Sequence, residues 1–240
     1  MKLTYVTFTG IDMRTDLNRL KRIQEKYPYA EFGVLMSYDW AYNGCRFPDP
    51  ALCEKLANAN LKNLSAHLCG KLALDVAYGD IKKVLAPSFN CFGIFSRCQL
   101  NLQAAGMFAT LAMVKPFDNL KEVIIQMHTP RHLEMYLEKQ GVADGQSYLL
   151  DASGGAGIDT PIEIVTSPGV HIGYAGGIGP DNVEDKLHTL LAHPSDERFW
   201  IDMETRVRTV DGTGEWLDLD KVEHVLEICD PMIKDYNKED

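Results

Sequence analysis

The sequence predicts an α/β protein built as one (β/α)8 barrel, the TIM-barrel arrangement, over residues 1–240. Three observations predict it. Eight short apolar runs recur with starts about 24 to 34 residues apart, the length a strand, a crossover helix and their loops require. The stretches between them carry apolar residues at helical period. No long linker or low-complexity segment divides the chain, and strands alternating with helices at this length close into a barrel. The alternative is an open doubly wound sheet. It lacks a GxGxxG fingerprint after the first strand, and the glycines at 154–157 come too late to supply one.

The strands are read at 3–8 (LTYVTF), 31–36 (EFGVLM), 63–68 (NLSAHL) and 97–102 (RCQLNL), then at 122–127 (EVIIQM), 147–152 (SYLLDA), 171–176 (HIGYAG) and 199–204 (FWIDME). Asp49-Pro50 reads as a cap and first-turn proline, with Leu52 and Leu56 sharing the helix face that follows. Gly179-Pro180-Asp181 opens another helix, with Val183, Leu187, Leu190 and Leu191 on one stripe. Asp218 is expected to cap the last helix, whose Val222, Val225, Leu226 and Cys229 fall at i, i+3, i+4 and i+7. Between the third and fourth strands a helix is expected near 79–85, with a loop around 87–93.

Composition limits the partners. Asp and Glu number 34 against 24 Lys and Arg, for a net charge of −10. Such a chain is a poor ligand for polyanions, so nucleic acid and anionic membranes are not expected partners. A small anionic metabolite is compatible, because backbone N–H groups hold an anion without net positive charge. No apolar run reaches the roughly 18 residues of a spanning helix, and MKLTYVTFTGID lacks a signal-peptide core. The expected location is the cytoplasm. The six cysteines, 45, 53, 69, 91, 98 and 229, form no CxxC pair and are expected as free thiols. Oligomeric state is not legible.

A barrel of this kind carries its site at the C-terminal strand ends. The polar residues that fall there include Thr9, Arg46, His67, Gln99, Asn101, His128, Asp151 and Glu204, with Asp202 just below. Two glycine-rich stretches follow strands six and seven: DASGGAG, with Gly154, Gly155 and Gly157, and AGGIGPDNV, with Gly176 and Gly177. Glycines after the last strands allow backbone N–H groups to approach a phosphate closely. On that reading Gly177→Asp abolishes anion binding and leaves the fold intact.

Asp151 ends an apolar strand, where partial desolvation suits a general acid. His67 and His128, both at strand ends, suit acid–base work, ligand contacts or metal binding. A divalent ion would combine His67 with Asp39, His128 or Asp202, but no HxH or HExxH spacing supports it, so no cofactor is expected. In IDMETRVRT, alternation sends Asp202 and Glu204 to one side. Arg206 and Arg208 follow, either as a ligand-reading strip or as an ion-pair network.

In their order along the chain these segments resemble phosphoribosylanthranilate isomerase, an aldose–ketose isomerase family. FTGID at 8–12 is similar to its ICGIT signature. SYDWAYNGCRFP resembles its SPRYV segment, and CQLNL its QLHG strand. LLDASGGAG is similar to its LLD…GGTG segment, AGGIGPDNV to its AGGLxPENV phosphate loop, and IDMETRVR to VDVSSGVE. The resemblance implies a barrel that binds a phosphorylated or carboxylated sugar-type ligand, with Asp151 as general acid and Arg46 reading a carboxylate. It also implies departures. Thr9 stands where the family has its basic cysteine, and a hydroxyl has no comparably accessible pKa. Glu204 and Thr205 replace phosphate-holding serines, Arg206 replaces a glycine, and Asn101 a histidine. If isomerisation persists, His67, His128 or Glu204 must supply the base. The alternatives are a metal-assisted epimerase or lyase on His67, His128 and nearby acids, or a non-catalytic phosphate-ligand module.

Overall fold

The computed structural model of the chain describes residues 1–38, 46–49, 51–80, 92–102 and 120–236. Eight parallel strands close on themselves. They are β1 (Lys2–Thr9), β2 (Ala30–Met36), β3 (Leu64–Cys69), β4 (Arg97–Asn101), β5 (Glu122–Met127), β6 (Gln146–Asp151), β7 (His171–Ala175) and β8 (Arg198–Met203). Each pairs with the next, and β8 returns to β1 through Val6↔Ile201 and Thr7↔Asp202. The protein is a closed (β/α)8 barrel, which excludes the open sheet. Every strand end lies within one residue of its expected position.

The helices among the described residues are α1 (Leu17–Lys26), α2 (Ala51–Ala59), α3 (Gly70–Ala77), α4 (Pro130–Gln140), α5 (Val183–Leu191) and α6 (Leu219–Tyr236). Their starts follow local chemistry. Asp16 caps α1 by accepting from the backbone N–H groups of Asn18 and Arg19. Thr129 caps α4, with Pro130 in the first turn. Asp49 accepts from Ala51 N at 2.7 Å ahead of α2, and Asp218 accepts from Asp220 N at 3.0 Å at the start of α6. The stripes expected on α5 and α6 are buried against the sheet. Pro50 lies outside the described residues.

The helix expected near 79–85 lies mostly outside the described residues. Three described stretches were not anticipated, the first being α3, directly after β3. Gly70 (φ +59) turns the chain from strand into helix, and Leu72, Ala73, Val76 and Ala77 bury one face. The loop expected around 87–93 lies mostly outside the described residues. After β6, residues 152–170 form no helix, as a glycine-rich start and prolines at 161 and 168 dictate. A hairpin, β9 (Arg208–Asp211) and β10 (Gly214–Leu217), precedes α6. Its two-residue turn is Gly212-Thr213, and Thr213 N donates to Asp211 Oδ1 at 2.6 Å. Cys69, Cys98 and Cys229 are free thiols. Cys53 is disulfide-bonded, against the expectation for it. Cys45 and Cys91 lie outside the described residues.

Strand alternation separates two interiors. The outward faces join the helices in the main core. The inward faces are mostly polar, with a thin apolar layer of Ile124, Leu149 and Trp200, against which Tyr5 and Ala175 pack. Trp200 seats on Gly173, where a Cβ would lie 2.1 Å from the indole ring. Near the N-terminal strand ends the Arg97 guanidinium lies 4.8 Å from the Tyr5 ring centroid and 4.3 Å from that of Trp200. It pairs with Glu31 at 2.9 Å and Glu122 at 2.8 Å. Thr7 donates to Glu31, and His171 Nδ1 meets Glu122 at 2.7 Å. Burial works to raise the Glu122 pKa, but the His171 hydrogen bond and the Arg97 charge overcome it and hold the carboxylate down to about 2.

Candidate functional site

A cavity of about 370 Å³ opens at the C-terminal strand ends, above the Leu149 and Ala175 side of the apolar layer. That volume suits a small metabolite. Two carboxyl groups in it have opposite surroundings. Asp151, at the end of β6, accepts from Gln126 Nε2 at 2.8 Å on one oxygen. On the other it accepts from Ser153 N at 3.1 Å and Ser153 Oγ at 2.8 Å. Every contact is a donation to it, so Asp151 is held as an acceptor. Asp202, on β8, is only 7% exposed. Thr9 Oγ1 donates to its Oδ1 at 2.9 Å. Burial pushes its pKa up to about 8; the Thr9 hydrogen bond opposes that rise, and the charge of Glu204 adds to it. Asp202 therefore carries a proton at neutral pH.

Thr9 and His67 lie beneath the cavity rather than in its wall. Ser65 Oγ lies 3.0 Å from His67 Nε2, and Thr9 Oγ1 lies 3.4 Å from Nδ1. Gly33 makes room for both: a Cβ there would sit 2.7 Å from the His67 ring nitrogen and 2.8 Å from Thr9 Oγ1. Burial lowers the His67 pKa to about 3, with the Arg97 charge acting in the same direction, so the ring is neutral. Thr9→Val should leave Asp202 Oδ1 without its donor, raise the pH at which Asp202 deprotonates, and cost about 1–3 kcal/mol. Thr9→Ser should restore both. Titration of Asp202 by carboxyl-carbon NMR, with urea unfolding, checks this.

His128, at the end of β5, lies in the cavity wall beside Gly154. Its ring is 6.4 Å from that of His132. Gln99 and Asn101 project from β4, with Gln99 Nε2 donating to Asn101 Oδ1 at 2.8 Å and Asn101 Nδ2 to Cys69 Sγ at 3.3 Å. The glycine loops complete the wall. Gly154, Gly155, Gly157, Gly176 and Gly177 all have positive φ. Among the described residues, the backbone N–H groups of Gly155, Gly157 and Gly177 donate to no protein acceptor, the requirement for an anion cradle.

The arginines are already engaged. Arg46 is bracketed by Glu204 at 3.1 Å and Glu215 at 2.6 Å. Burial raises the Glu204 pKa, against the pull of Arg46 and Arg208. Arg206 donates to Gly177 O at 2.9 Å and to Asp181 at 2.6 Å, fastening the second glycine loop. Arg208 is buried on Gly10 O and Glu215, as an internal network rather than a ligand-reading strip. Among the described residues no group of three His, Cys, Asp or Glu is placed to hold a metal ion, and no helix is long and apolar enough to cross a membrane. Asp39 lies outside the described residues.

The Gly177→Asp expectation needs correction. A Cβ at Gly177 would meet the backbone of Ile158 and Asp159 at 2.4–2.5 Å, so that change disturbs the loop packing itself. Gly155 has open space within 4 Å, so an added side chain there meets no clash, although its φ of +85 strains any L residue and Gly155→Ala is needed beside Gly155→Asp to separate strain from charge.

Sequence reasoning placed Asp202 just below the strand ends and offered it only as a candidate metal ligand and as a member of the acidic strip, not as an acid or base. The legible signal was its shared face with Glu204. Gln126, which fixes Asp151, carried only its place on an inward strand face. Compared with known proteins, the chain matches no family model and no curated protein.

Proposed function

We propose that this protein is an acid–base enzyme of the phosphoribosylanthranilate isomerase type, moving a proton on a small phosphorylated sugar-type ligand. The observation that carries the reading is the carboxyl pair. Asp151, an acceptor with both oxygens engaged, and Asp202, protonated at neutral pH, face one cavity beside two glycine loops. Carboxyl groups whose environments differ in this way divide the roles of base and acid. Asp202 is the proton donor and Asp151 the acceptor, which gives Asp151 the opposite role to the one implied by the family pattern. The loop N–H groups hold the anionic end, and Thr9 positions Asp202 through its hydroxyl.

Aldose–ketose isomerisation exchanges the C2 proton. Incubating the protein in deuterated water with phosphorylated aldoses and following deuterium at C2 tests the class. Complementation of a tryptophan-requiring strain lacking the isomerase tests the narrow version. Absence of exchange across such substrates, with binding retained, would leave a ligand-binding module. Gly155→Asp should weaken inorganic phosphate binding roughly tenfold or more, since a like charge about 4 Å away costs about 1–4 kcal/mol. Calorimetric titration of both proteins, beside Gly155→Ala, reads this directly, and unchanged affinity would remove the loop from the anion site.

A further inference from the structure

We infer that the cavity takes a ligand with two unlike ends: an anionic group on the glycine loops and a hydrogen-bond donor, an amine rather than a carboxylate, on Gln99 Oε1. The inference rests on the anion-binding reading above and supplies the chemistry of the opposite end. Gln99 is 3% exposed and belongs to the cavity wall. Its Nε2 is spent on Asn101 Oδ1, whereas its Oε1 is buried with no protein partner. A buried carbonyl left unpaired is costly, so the site calls for a donor from the ligand.

Among the described residues no side chain donates to Gln99 Oε1. Gln126 donates to Asp151, Asn101 to Cys69 Sγ, and Thr9 to Asp202. At Gln99 the cavity therefore presents a carbonyl acceptor, whereas the loops present N–H donors. A carboxylate here would also lack a free counter-charge, because Arg46 is held between Glu204 and Glu215. A cationic amine meets the Gln99 carbonyl and the nearby Asp151 carboxyl with favourable charge. The Arg46 role implied by the family pattern is thus replaced by an acceptor that reads a donor.

The test uses three matched series of two- to five-carbon phosphate esters, ending in an amine, a methyl group or a carboxylate, titrated calorimetrically beside inorganic phosphate. At the best chain length the aminoalkyl phosphate should bind about tenfold or more tighter than the alkyl phosphate, and the carboxyalkyl phosphate more weakly than both. Gln99→Met should erase the preference for the amine. Equal affinities, a preference for the carboxylate, or an amine preference that survives Gln99→Met would overturn the inference while leaving the anion site standing. Failure of every probe, phosphate included, would overturn both. If Gln99→Met does not fold, the ranking on the unaltered protein decides.

Discussion

Replacing Arg97 with methionine is expected to lower the unfolding free energy by about 3–5 kcal/mol. The guanidinium is 1% exposed and sits between Glu31 and Glu122 inside the barrel. Removing it leaves two carboxylates facing each other without a counter-charge. The stacked Tyr5 and Trp200 rings lose their cation as well. At this chain length the loss corresponds to a fall in midpoint of about 10 °C. The triple variant Glu31→Leu, Arg97→Met, Glu122→Leu should recover most of the loss or exceed the parent, because the desolvation of all three charges disappears together. Urea unfolding of the three proteins reads both effects. A neutral Arg97→Met would mean that the carboxylates are solvated, and the network would then not govern stability.

Asp202→Asn is the second large effect. If Asp202 donates the proton in turnover, the variant should lose about 10²–10⁴-fold in rate. Its pH signature does not depend on an assay. The folded pKa is raised from 3.8 to about 8, so the folded state binds the proton more tightly than the unfolded chain. Stability is full below about pH 4 and is lost as pH rises towards 8. His67 acts in the opposite sense. Burial keeps it neutral down to about pH 3, so its contribution grows as pH rises from there to its ordinary 6.5. Between pH 6.5 and 8 the His67 contribution no longer changes. There the parent should lose stability with rising pH and Asp202→Asn should not. Parallel slopes for the two proteins in that window would assign the proton elsewhere. In the parent, activity should fall above pH 8 as the donor loses its proton.

The barrel was legible because its signals are local. Alternating residues show which side of a strand is apolar, and the 24- to 34-residue spacing requires crossovers. The helix α3 went unread because Gly70 resembles a turn in sequence, yet it opens a helix without a loop. The hairpin at 208–217 was hidden by its charged residues, which mask strand alternation. The glycine loops and Asp151 were visible as composition at predicted strand ends. The engagement of Arg46 and Arg206 was not, since nothing adjacent in sequence marks a charge as already paired.

By itself, then, the sequence determined the architecture, the end of the barrel that carries the cavity, and the residue types gathered there. The tertiary structure alone decided which of those groups remain available for chemistry. Thr9 reaches Asp202 across 193 residues, and Arg46 reaches Glu215 across 169. Protonation and pairing depend on burial and on partners within a few ångströms, and in a closed barrel those partners come from strands far apart in the chain. The net charge of −10 therefore says little about the site, where, among the described residues, backbone N–H groups of the glycine loops stay unpaired while the arginines hold the walls together.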